Sequence, residues 1–88
     1  MSMKHAGQDA LDQLAGLLAD LRKVEGLVEK KRGIFYRKSR AFLHFHEDPS
    51  GLFADLRLAG VEFDRHDVTD KAGQAALLSL VQQGVVSG

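Results

Sequence analysis

Two histidines separated by one residue, His44-Phe45-His46, are the side chains best placed to do chemistry in this sequence. On a strand, alternate side chains share a face, so both imidazoles project to one side, about 6.5 to 7 Å apart along the backbone. That spacing can chelate a divalent metal, with Glu47, Asp48, Asp55 or His66 as a third ligand. Imidazole together with carboxylate suits zinc, iron or manganese. A metal-free reading uses the same residues: His44 and His46 pack on Phe53 and hydrogen-bond to nearby carboxylates, the common condition of half-buried histidine. An acid–base reading would set His beside Asp and have Asp55 and Asp64 share one raised pKa. No Ser has the context of an activated nucleophile, the Gly residues form no phosphate cradle, and Cys is missing. Thiolate chemistry and Cys-ligated zinc are therefore excluded, and no cofactor is expected beyond that divalent metal.

The elements that must position these residues are short alternating runs between Ile34 and Val68. They are 34–37, 41–46, 52–58 and 61–68, rich in β-branched and aromatic residues with period-2 patterning. They predict an antiparallel β-meander, with a short first strand over 27–31. With 47–50 as a four-residue loop, Phe45 falls opposite Leu52, Leu43 opposite Ala54 and Ala41 opposite Leu56. Tight turns at Lys38-Ser39 and Ala59-Gly60 then pair Tyr36 with Ala41, Ile34 with Leu43, and Leu56 with Phe63. One continuous apolar face results, because a one-residue slip would mix Leu with His on both faces.

The opposite face then carries Phe35, Phe42, His44, His46, Phe53, Asp55, Arg57, Glu62, Asp64 and His66. Phe53 lies between His44 and His66, and Asp55 faces Asp64, where like charges directly opposite are destabilising. Phe35, Phe42 and Phe53 form an uncovered aromatic patch of a size that monomers seldom expose. A chain of 88 residues buries only roughly 60 to 65% of its unfolded surface. A homodimer through Phe35, Phe42 and Phe53, most simply two-fold, is therefore expected.

A helix precedes the meander, with Asp9 as N-cap, an apolar stripe at Leu11, Leu14, Leu17, Leu18, Leu21 and Val24, and Gly26 as its stop. A second follows from about Lys71 to Gln83, capped by Thr69 or Asp70 and ended by Gly84. The fold class expected is α+β: an N-terminal helix, an antiparallel meander of four to five strands and a C-terminal helix. This is a single domain over 1–88, with 1–8 a disordered tail. Hydrophobic residues make up 44% and charged residues 27%, an ordinary globular balance. The segment from Met1 through Asp20 has neither a signal-peptide pattern nor an apolar span, so a cytoplasmic protein without a membrane partner is expected.

The formal net charge is zero, yet cations crowd positions 30–40 and carboxylates dominate 47–70. The basic hairpin 30–40, with Phe35 and Tyr36, has the ingredients of a nucleic-acid surface, but the neutral overall balance opposes that partner.

The block from Gly33 to Asp48, followed by Gly51-Leu52-Phe53-Ala54-Asp55-Leu56-Arg57, resembles a group of small uncharacterised bacterial proteins with an FYR...AFLHFHED...GLFADLR core. The resemblance implies a compact bacterial α+β domain and carries over no catalytic residue. An analogy to the small YjbR-like proteins holds at fold level only.

The function expected is a non-enzymatic, homodimeric interaction or small-ligand-binding module. Its ligand residues would be His44, His46, Phe53, Asp55 and His66. The alternatives are a metal or acid–base site at His44 and His46, and nucleic-acid binding through the hairpin.

Overall fold

The computed structural model describes residues 4–87. Its elements are β1 (Lys4–His5), α1 (Gln8–Gln13), α2 (Ala15–Arg22), β2 (Leu27–Lys31), β3 (Ile34–Arg37), β4 (Arg40–Asp48), β5 (Gly51–Leu56), β6 (Asp64–Asp67) and α3 (Lys71–Ser87). The fold is α+β, with one antiparallel sheet in the order β2-β3-β4-β5-β6 and β1 paired to β4 beside that path. β3 pairs with residues 40–43 of β4, and β1 pairs with Glu47 and His46 farther along it. The tail expected over 1–8 is thus structured from Lys4 onward, and residues 1–3 of that expectation lie outside the described residues.

The leucine stripe forms the helical half of the core. Leu11, Leu14, Leu17, Leu18 and Leu21 are buried together with Leu77 and Val81 of α3 and with Leu43, Phe45, Ala54 and Leu56 of the sheet. The N-terminal helix has its N-cap at Gly7 and not at Asp9, and it is interrupted at Leu14, where φ −99° and ψ 11° leave the helical region. The side-chain stripe nevertheless continues across the break. Arg22 of α2 pairs with Glu29 of β2 at 2.6 Å, and the same carboxylate accepts the Gly33 N–H at 2.9 Å. Asp70 caps α3 by accepting the Gly73 N–H at 2.8 Å. Gly84 does not stop that helix, which runs to Ser87.

Three registers differ from those expected, and each difference moves functional residues. Between β4 and β5 the loop is reduced to Pro49-Ser50, and the pairs are Phe45–Ala54 and Leu43–Leu56. That is a shift of two positions, so the faces of these strands are preserved.

Between β3 and β4 the Lys38-Ser39 turn forms as expected, with φ 53° and 67° at its two residues and Tyr36 opposite Ala41. The next pair is Phe35–Leu43, so Phe42 is an extra residue in β4, a β-bulge. This bulge puts Phe35 on the face of Leu43 and leaves it 1% exposed, while Phe42 is 5% exposed. Ile34 and Tyr36, expected in the core, are half-buried, and Lys30 Nζ sits 5.3 Å from the Tyr36 ring centre.

Between β5 and β6 the connection runs over residues 57–63, and the pairs are Leu56–Asp64, Asp55–Arg65 and Ala54–His66. This slip of one position replaces the Asp55–Asp64 repulsion by an ion pair. It also moves His66 to the face of Ala54 and Phe63 to the opposite face.

Candidate functional site

On β4, the alternation that buries Leu43 and Phe45 turns His44 and His46 to the other face of the sheet. β1 adds a third imidazole, because His5 is the cross-strand partner of His46. Ring centres lie 4.7 Å apart for His5 and His46, 4.9 Å for His44 and His46, and 5.7 Å for His5 and His44. One nitrogen of each ring falls within 4.8 Å of the other two.

The surroundings of the trio are asymmetric. Behind His46, the Asp55 carboxylate lies 3.2 Å from Nδ1, and Arg65 grips that carboxylate through two hydrogen bonds of 2.8 and 3.0 Å. Arg65 Nη2 is also 3.5 Å from His46 Nδ1. The shorter Asp55 contact favours Nδ1–H as the donor, which leaves the Nε2 lone pair of His46 free for a ligand. His44 stacks edge-on against Phe63 at 4.8 Å, and the Arg57 guanidinium lies 4.6 Å from the centre of the Phe63 ring. The Nδ1 of His44 is buried without a hydrogen-bond partner, so no hydrogen bond there holds this ring in one tautomer.

Burial is the main force on both β4 imidazoles. It holds His44 and His46 below the usual histidine range, and the attraction of Asp55 does not offset it. Burial therefore favours the neutral form of both rings, the state a metal requires. Asp55 is held below the usual carboxylate range by its Arg65 hydrogen bonds, against the opposing effect of burial. The Asp55/Asp64 pair expected to face each other and share one raised pKa is accordingly not formed, since Asp55 faces Arg65.

Of the expected ligand residues, the structure brings together His44, His46 and Asp55. Phe53 is a half-buried neighbour opposite His46, and His66 is separated from them by its place on the Ala54 face. The expected aromatic patch does not form, because Phe35 and Phe42 are buried within the chain and only Phe53 of the three is accessible. His5 and Phe63 were not among the expected site residues. His5 lies in a two-residue strand, too short for any periodic signal, and Phe63 was displaced by the β6 register.

The basic hairpin is largely engaged within the chain. Arg32 pairs with Asp12 at 2.7 Å, Arg37 donates to the Val85 carbonyl at 3.1 Å, and Arg40 donates to the Gly60 carbonyl at 3.4 Å. A groove of about 550 Å³ lies away from the histidines between the end of α2 and α3, lined by Val24, Leu78, Val85 and Val86 among others. No helix among the described residues is long and apolar enough to cross a membrane. No protein-family model, curated protein or solved structure matches this chain.

Proposed function

We propose that this chain is a metal-binding domain that holds one zinc-type divalent ion at His5, His44 and His46 and leaves a coordination position open to an outside ligand. The observation that carries this reading is the convergence of three imidazoles from two strands, with a nitrogen of each within 4.8 Å of the others. Two nitrogens on a tetrahedral zinc stand about 3.3 to 3.4 Å apart, given Zn–N bonds of about 2.0 to 2.1 Å. The widest pair must draw in by roughly 1.5 Å to meet that distance, and the exposed His5 ring, already beside both others, is the one best placed to move.

Three further features support the reading. An all-imidazole set suits zinc, copper, nickel or iron and not magnesium or calcium, which prefer oxygen. Asp55 behind His46 is the carboxylate–histidine arrangement that orients metal-ligating imidazoles. Three protein ligands without a fourth leave room for water or a small ligand, which joins the metal and ligand-binding alternatives into one site.

Calorimetric titration of tag-free protein with Zn2+, and visible spectra with Co2+, test this directly. One ion should bind per chain. His5→Ala should weaken binding by about 10-fold or more, the His44→Ala/His46→Ala pair should abolish it, and His66→Ala should leave it unchanged. Absence of uptake by the wild type, or equal affinity in wild type and the double variant, would overturn the proposal.

A further inference from the structure

We infer that the metal works as a latch, closing β1 onto β4, so that metal affinity is set in part by a residue that is not a ligand, Glu47. The inference rests on the proposed His5/His44/His46 site and concerns its regulation. β1 contributes one imidazole, whereas the other two belong to β4.

Among the described residues β1 is lightly held, with Ala6 beyond it packing partly on the core. It has two residues, both exposed, and its only strand partner among the described residues is β4. Beyond the Lys4–Glu47 and His5–His46 pairs, the segment is fastened by the Ala6 N–H on the Phe45 carbonyl at 3.1 Å. The Gly7 N–H adds a 2.6 Å bond to Glu47 Oε2. A strand without buried side chains of its own belongs to the part of a fold that opens at low free-energy cost.

An ion distinguishes the two positions of this strand. Closed, the site presents three imidazoles; open, it presents only His44 and His46. The ion therefore binds the closed state better and shifts the population toward it, by a factor equal to the ratio of the two affinities. The coupling is reciprocal: whatever loosens β1 weakens the metal by the fall in the closed fraction that results, reaching the full factor where β1 is mostly open without metal. Glu47 is the point at which to loosen it, since its carboxylate holds the chain two residues beyond His5 and the residue is outside the trio. Opening also uncovers the edge of β4 from Phe45 to Glu47, which β3 does not reach, so loss of metal would free backbone groups able to accept another extended segment.

The test compares Glu47→Ala with Glu47→Gln by Co2+ and Zn2+ titration, alongside hydrogen exchange of the Ala6 amide with and without Zn2+. Glu47→Gln keeps an acceptor for the Gly7 N–H and removes the charge. The latch predicts that Glu47→Ala binds metal measurably more weakly, by up to about 3- to 10-fold, the range that one net hydrogen bond converts to when β1 is mostly open without metal, with Glu47→Gln close to wild type. It also predicts slower Ala6 exchange on adding Zn2+. Metal that binds the wild type while Glu47→Ala is unchanged, or while Glu47→Gln is as weak as Glu47→Ala, would overturn the latch and spare the site. An Ala6 amide indifferent to bound Zn2+ would do the same, whereas no metal uptake by the wild type would sink both.

Discussion

Replacing Phe35 by Ala tests whether the bulge at Phe42 sets the faces of the sheet. Without the bulge, Phe35 would lie on the histidine face; with it, the ring is 1% exposed beside Leu43. A buried Phe withdraws roughly 150 to 250 Å² from water, worth roughly 4 to 6 kcal/mol at about 25 cal/mol per Å². Truncation to Ala keeps part of that gain and leaves a cavity, so the expected cost is about 3 to 5 kcal/mol. Total stability for a domain is about 5 to 15 kcal/mol, and each 1 kcal/mol moves Tm by about 4 to 8 °C at this size. Phe35→Ala should therefore lower Tm by about 12 °C or more. Phe53→Ala, at a half-buried position on the histidine face, should cost about half as much. Thermal and urea unfolding followed by circular dichroism measure both. If Phe35→Ala proves milder than Phe53→Ala, the bulge does not direct Phe35 inward and the assignment of faces fails.

Phe42→Lys should unfold the domain because Phe42 is buried, whereas an exposed aromatic patch would yield a folded monomer; light scattering and circular dichroism separate the two outcomes. The β6 register predicts that Arg65→Met lowers Tm by stranding the buried Asp55 carboxylate, while Asp64→Asn leaves Tm nearly unchanged. A clear stabilisation by Asp64→Asn would favour the register in which Asp55 faces Asp64. Gly16→Ala, with no atom near the new methyl, should stabilise α2 by about 1 kcal/mol. Gly73→Ala should destabilise, because its methyl would strike the Asp67 carbonyl oxygen; denaturant melts read both signs. Glu29 is held below its usual value of 4.5, first by the Arg22 hydrogen bond. Its contribution is therefore fully present above that value and is lost as pH falls through the lower folded-state value. Glu29→Gln should flatten the decline in Tm between about pH 5 and pH 3.

The residue patterns that were legible in the sequence are those that depend on periodicity over several residues. The leucine stripe of the N-terminal helices, the pairing of inward Leu43 and Phe45 with outward His44 and His46, and the Lys38-Ser39 turn all belong to this class. The shift of two positions at Pro49-Ser50 leaves no mark in the sequence, because it exchanges one apolar pair for another and preserves the faces. A bulge is different: one unpaired residue, Phe42, inverts the parity of everything beyond it, and nothing in the local composition marks it. The β6 register turned on Asp55, which gains more from facing Arg65 than Phe63 would gain from facing Leu56, a balance between charge and burial that alternation alone does not weigh. His5 was invisible for a simpler reason. Its position is set by a partner strand some 40 residues away, and two residues carry no pattern.

The division of one edge of β4 between β3 and β1 has a consequence for the order in which the molecule is made. β3 and β4 are joined by a two-residue turn and can zip together as soon as both exist, as can β4 and β5. The remaining stretch of that edge pairs with a strand from much earlier in the sequence, with Gly7 and Glu47 separated by 40 positions. Contacts of such separation carry a large loop-closure cost and form late. His5 is therefore made before β4 and is expected to reach its neighbours there after the local hairpins have formed. On that order, His44 and His46 come together first as a pair on β4, and the three-imidazole cluster is expected only when β1 docks.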